Sequence, residues 1–446
     1  MDTVIIVIQF FLSLSILVIL HEFGHFLPAR LFNTKVEKFY LFFDPWFSLF
    51  KVKKGDTEYG VGWLPLGGYV KISGMVDESF DKEQLKKPPQ PWEFRSKPAW
   101  QRLIIMLGGV FVNFILGFFI FGMILWQYGE EYLPADNLTY GIVADSLGQE
   151  LGLQTGDQIL YVGDVRFEEF NPGLIIREIA LNDAKTITVK RDYEVIDIQV
   201  EERFADELTR YSNKDNPLFN MRFPFNIANV LEDSPAYNAG LEKGDKVIGV
   251  NDQPTVFFDE ISSVLKSSPA SDITLTVIRN DMDTLQLNMT TTEEGTIGVN
   301  PQHPFEIFGT ERREYTFAAA MPAGVDKGWT FLTDQIKAFG QMFRGRMKVS
   351  ESLGGFGTIG SLFPSTWQWE TFWRVTAILS LILGFMNLLP IPALDGGHVV
   401  FLLWEVITGR KVSDKVMETA TMVGFIIIIA LVLYANGLDV MRFVNK

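Results

Sequence analysis

Leu17–Phe32 reads LVILHEFGHFLPARLF. From Val4 to Leu20 the chain carries no charge, and then His21, Glu22 and His25 arrive together ahead of Arg30. An uncharged stretch of this length suits hydrocarbon, where ionisable groups are costly and are retained for function. The segment therefore predicts a membrane helix that ends in chemistry. His21 and His25 are four residues apart, so at about 3.6 residues per turn both imidazoles share nearly one face and can reach one ion. Glu22 lies roughly a quarter turn away, where its carboxylate can serve as a base instead of a ligand.

The rest of the composition agrees with a membrane setting. The chain has 446 residues, 47% of them hydrophobic, with 38 Phe and a positive mean hydropathy. Four segments stand out as spans: Val4 to Leu20, Met106 to Leu125, Val375 to Leu389 and Thr421 to Leu433. With weakly polar flanks, each approaches the roughly 20 residues needed to cross as a helix. Cysteine is absent, so a metal must be held by His, Asp or Glu. Between Arg30 and Arg102 there are 13 Lys/Arg against 9 Asp/Glu, while between Tyr128 and Thr330 there are 16 against 35. Basic loops beside span ends mark the cytoplasmic side, so the acidic middle is predicted outside. Spans one and three then run in the same direction, inward. The net charge of −15 argues against a nucleic-acid partner.

Between the first two spans, TEYGVGWLPLGGYVKISG (Thr57–Gly74) reads as strand-like and membrane-associated, and KKPPQPW (Lys86–Trp92) as a stiff linker. In the acidic middle, GIVADSLGQELGLQTGDQILYVGD (Gly141–Asp164) lies over ANVLEDSPAYNAGLEKGDKVIGVND (Ala228–Asp252), which predicts two similar domains. Both copies resemble PDZ domains, which bind by adding a strand to a sheet edge. Arg312 to Val349 reads as an amphipathic helical stretch, suited to the outer membrane surface or to packing on the outer domains. The expected divisions are 1–127 (spans one and two), 128–225 and 226–305 (the two copies), 306–372 (connector) and 373–446 (spans three and four).

The His-Glu-x-x-His spacing is that of zinc hydrolases, and a catalytic zinc requires a third protein ligand. His303 falls in the outer region. FMNLLPIPALDGGHVV (Phe385–Val400) offers Asp395 and His398, just after a span that Pro390 and Pro392 should break. Because spans one and three both run inward, Asp395 should share the depth of His21. Asp395 is the expected ligand, with His398 the alternative if Gly396-Gly397 makes a turn that swings it inward.

HEFGH (His21–His25) and NLLPIPALDGGH (Asn387–His398) together resemble the two signature motifs of the site-2 protease family, and the PDZ-like pair resembles its bacterial branch. The resemblance implies a polytopic α-helical membrane protein of four transmembrane helices. It also implies a membrane-associated β-region and two extracytoplasmic PDZ-like α+β domains. It implies an intramembrane zinc metalloprotease in the bacterial inner membrane, with Zn2+ on His21, His25 and Asp395, and Glu22 as the base. Asn387 would hold the substrate backbone, and Gly67, Gly68, Tyr69, Val70 and Lys71 would belong to the sheet that clamps it. The implied substrates are single-span proteins, such as pre-trimmed anti-sigma factors or remnant signal peptides. The PDZ pair would act as a size filter, and the protein would be a monomer in the lipid bilayer. The alternative is a membrane-tethered PDZ adaptor with a non-catalytic metal site, which would have no need of Glu22.

Overall fold

The computed structural model describes residues 2–65, 67–75, 88–213 and 216–444. Leu66 in the expected strand-rich stretch, and Lys86 and Lys87 at the start of the expected linker, lie outside the described residues. The chain divides into two compact units: Met1–Gly129, Glu314–Ile336 and Leu353–Lys446 make the first, and Glu130–Arg313 with Lys337–Ser352 the second.

Among the described residues of the first unit, four helices are long and apolar enough to cross a membrane: Thr3–Leu31, Ala99–Tyr128, Trp369–Leu388 and Lys415–Val444. The leading helix, α1 (Asp2–Leu31), does not stop at Leu20 but carries the His-Glu motif through Pro28. A helical proline deprives the carbonyl four residues back of its donor, here that of Gly24. That carbonyl lies against Gly108 of α2 (Ala99–Tyr128), and a Cβ on Gly24 would in turn strike Gly109 Cα at 2.7 Å. Two glycines thus let α1 and α2 touch backbone to backbone at the motif, with a Cα–H donor facing the freed carbonyl.

The helix α3 (Phe317–Phe343) begins in the first unit and lies against α2, where Gly324 meets the Gly122 backbone. The first part of the amphipathic stretch therefore packs among the membrane helices, while Lys337–Ser352 belongs to the second unit, where Lys337 donates to Asn182 at 2.6 Å, as expected for packing on the outer domains. The glycines of the first part supply a close-packing face that periodicity of apolar residues does not register. The third span, α4 (Trp369–Leu388), ends ahead of Pro390, with Leu389 extended because a residue before proline is disfavoured in the helix. The turn passes through Ala393 at φ 85°, and a new helix, α5 (Asp395–Thr408), starts at Asp395. The last span lies in α6 (Asp414–Val444).

Between α1 and α2 sits a four-stranded sheet of β1 (Val36–Leu41), β2 (Phe43–Lys54), β3 (Thr57–Leu64) and β4 (Tyr69–Ile72), ordered β2-β3-β1-β4. Among the described residues, strand β4 pairs antiparallel with β1 and lies at the sheet edge.

The second unit repeats one α+β pattern. Gln158–Val162, flanked by Val165–Arg166 and by the hairpin Thr186–Arg191/Glu194–Gln199, forms a four-stranded sheet. Lys246–Val250, Gln253–Pro254, Asp272–Arg279 and Asp283–Thr290 form another in the same order. Each sheet buries its own core against its own helix, Ile175 on Pro172–Ala180 in one and Ile261 on Phe258–Lys266 in the other. Each also carries the same buried clamp. Arg191 grips Asp157 at 2.7 and 2.8 Å and the Gly152 carbonyl at 2.9 Å. Arg279 grips Asp245 at 2.8 and 2.7 Å and the Gly240 carbonyl at 2.7 Å.

Burial pushes the Asp245 carboxyl up, but the Arg279 guanidinium and the Glu242 amide outweigh it and hold the group below the ordinary carboxylate range. A carboxylate depressed on folding stabilises above its unfolded pKa of about 3.9, and that contribution is lost as pH falls through the folded value. Arg279→Leu, which strands Asp245, should cost the second copy about 3 kcal/mol at neutral pH. In chemical denaturation the gap from wild type should narrow as pH falls below about 4.

Candidate metal centre

The polar cluster begins with helical spacing. His21 and His25 stand one turn apart on α1, both buried, with their Nε2 atoms 3.3 Å apart. Asp395, first residue of α5, sends Oδ2 to 3.3 Å from each of those nitrogens. A tetrahedral ion with bonds of about 2.0–2.1 Å needs its ligand atoms about 3.3 Å apart. The Asp395 Oδ2 is buried without a hydrogen-bond partner among the described residues. Two imidazoles and one such carboxylate oxygen, equidistant and converging, fit zinc, and leave a fourth position for the reaction.

The far side of each imidazole is also engaged. His25 Nδ1 lies 2.8 Å from the Ile105 carbonyl, which can only accept, so the ring proton sits on Nδ1 and Nε2 is left with its lone pair toward the ion. His21 Nδ1 lies 3.0 Å from the Asn113 side-chain amide. Both partners are on α2, and between them Gly109 makes room: a Cβ there would come within 2.7 Å of His21 Cε1 and strike the His25 ring.

Glu22 is on α1 beside the histidines, and its carboxylate faces the Val70 backbone amide of β4. Gly68 brings the sheet edge this close, since a Cβ there would lie 2.6 Å from Val18 Cγ1 and 3.3 Å from Glu22 Cγ. Gly67, at φ 140°, turns the chain into β4 in a conformation that favours glycine. Tyr69 and Lys71 engage the sheet itself, the Tyr69 hydroxyl donating to Asp44 at 2.8 Å and the Lys71 ammonium 3.7 Å from Glu37. Asn387, in the last turn of α4, has Nδ2 3.4 Å from His21 Nε2.

His21, Glu22, His25, Asn387, Asp395, Gly68 and Val70 therefore gather at one place. His398 does not join them. It lines a cavity with Arg102 and Glu405, while Gly396 and Gly397 serve to bring α5 against the Leu388, Leu389 and Ile391 carbonyls instead of swinging His398 inward. His303 caps the short helix Pro304–Phe308 in the second unit. Sequence reading missed Ile105 and the contact of Asn113 with His21. The only signal was the four-residue spacing of Gly109, Asn113 and Gly117, which reads as close helix packing.

Residues 9–431 match Peptidase family M50. Across 98% of both chains the sequence is 29% identical to a Neisseria meningitidis protein provisionally named as a zinc metalloprotease. It is 26% identical to the regulator of sigma-E protease RseP of Escherichia coli over 95% of both chains. It is 25% identical to the regulator of sigma E protease of Haemophilus influenzae over 97% of this chain and 98% of the relative.

Gly109→Ala tests the room left for the imidazoles. The added methyl should displace a ring and lower zinc affinity about 10-fold or more, as losses around metal ligands do. Chelator competition on the purified protein measures it, and unchanged affinity would show that the rings do not need this space.

Proposed function

The chain belongs to peptidase family M50, so it is a zinc metalloprotease with membrane helices, and on that premise we propose that it cuts single-span membrane proteins within or near their spans. The observation that carries the reading is the convergence of His21, His25 and Asp395 donor atoms at 3.3 Å, with Glu22 and an edge strand beside them. His21 and His25 on α1 and Asp395 on α5 hold the ion.

Zinc, when bound, would activate a coordinated water and polarise the scissile carbonyl. Glu22 takes the proton released as that carbonyl is attacked and returns it to the leaving amine. A helical substrate hides its amides in internal hydrogen bonds, so it unwinds before cleavage and its freed backbone groups need partners. The edge strand β4 with Gly68 before it supplies them by strand addition, with Gly67 turning the chain in. The Asn387 amide, beside the metal ligands, holds the backbone next to the bond to be cut.

The same reading covers the outer region. Residues 128–225 and 226–305 form two PDZ-like domains between the membrane parts 1–127 and 373–446, with 306–372 as connector. The pair is extracytoplasmic and acts as a size filter, admitting substrates whose outer domains another protease has trimmed. The acidic balance there, against basic loops beside the spans, supports this orientation in a bacterial inner membrane, with the site near the cytoplasmic side. Relatives bear the name regulator of sigma-E protease, which supports an anti-sigma-factor-like substrate, with remnant signal peptides a second class of the same chemistry.

The test is cleavage of a tagged single-span substrate, lacking its outer domain, by purified protein loaded with zinc. Glu22→Gln should lower the rate at least about 100-fold with zinc still bound, the contribution expected of a general base. Asp395→Ala should lose zinc and activity together. Wild-type cleavage by Glu22→Gln would remove Glu22 from the chemistry.

A further inference from the structure

We propose that Asn113 is a positioning residue for the metal: its side-chain oxygen accepts the His21 Nδ1 proton and holds that ring with Nε2 turned to the ion. The inference rests on the reading of His21 as a zinc ligand.

Asn113 is fully buried in α2, and its amide lies 3.0 Å from His21 Nδ1. The amide's two ends are interchangeable by a half turn, so hydrogen-bond chemistry decides which end faces the ring. His21 Nε2 points at His25 Nε2 and Asp395 Oδ2, each 3.3 Å away, so in the liganded ring the proton is on Nδ1. That proton needs an acceptor, which an NH2 group cannot be. The Asn113 oxygen otherwise has no hydrogen-bond partner among the described residues, and turned to His21 it gains one.

The second imidazole shows the same logic without ambiguity, because its Nδ1 meets the Ile105 carbonyl at 2.8 Å. Ile105, Gly109 and Asn113 are spaced by four on one face of α2. They make a cradle: an acceptor for each ring at the ends and a missing side chain between them. The Asn113 backbone carbonyl also accepts the Ser380 hydroxyl at 2.7 Å. One residue of α2 thus touches a first-span ligand with its side chain and α4 with its backbone, and α4 leads into Asp395.

Zinc affinity of the full chain in detergent, measured by chelator competition, tests this without a substrate. Asn113→Leu should weaken zinc binding about 10- to 100-fold. Asn113→Asp keeps an acceptor oxygen in the same place and should bind within a few-fold of wild type. Wild-type affinity in Asn113→Leu, or an equal loss in both variants, would overturn the inference. A His21→Ala control that still binds zinc as wild type does would instead refute His21 as a ligand. If Asn113→Leu does not fold, nitrogen-15 NMR of the histidine rings in the zinc-loaded wild-type protein decides. A His21 ring protonated on Nδ1 and metallated on Nε2 supports the inference, and the opposite tautomer overturns it.

Discussion

Everything at the candidate metal centre depends on how closely α1 can approach α2. At Gly24 and Gly108 no side chain separates the two backbones, and this happens within the His-Glu motif itself. Lipid offers helices little hydrophobic reason to associate, so contact of this kind, with polar groups satisfied between helices, carries the packing. It sets the imidazoles against the Ile105–Asn113 face of α2 and leaves their Nε2 atoms to converge. A methyl group at any of Gly24, Gly108 or Gly109 would meet backbone or imidazole.

The second constraint is the interruption after α4. Pro390 and Pro392 end one helix and Asp395 starts the next, so the carboxylate is delivered at a helix start and not from a helix flank. Gly396 and Gly397 fold α5 tightly back on that turn, and Gly424 of α6 lies against the Pro392 carbonyl. The buried Arg102–Glu405 pair, 2.5 Å apart, ties the other end of α5 to α2. Removing either charge would strand the other in a poorly hydrated place, which is why such pairs fix geometry more reliably than they add stability.

Much of this was legible in the sequence, for local reasons. Two histidines and a glutamate at helical spacing declare themselves within five residues. Asp395 follows only from topology, as the acidic group that shares the depth of His21, and what sets it apart from His398 is the packing of Gly396 and Gly397 on the preceding turn, which the sequence does not display. The role of Asn113 was not legible, because its partner is 92 residues away and asparagine serves equally well in helix packing. The extension of α1 to Leu31 was hidden by charge and by Pro28, whose cost depends on what faces the Gly24 carbonyl. For α3, apolar periodicity gave the helix but not the face, which Gly324 determines.

The central claim is that residues far apart in the chain, two on α1 and one on α5, hold a single zinc ion. Zinc-edge X-ray absorption on the metal-loaded protein, with anomalous diffraction to locate the ion, tests it most directly. The account predicts two imidazole nitrogens and a carboxylate oxygen at about 2.0–2.2 Å, with the anomalous peak between His21, His25 and Asp395. A peak beside His398, or a shell without a carboxylate from Asp395, would contradict it.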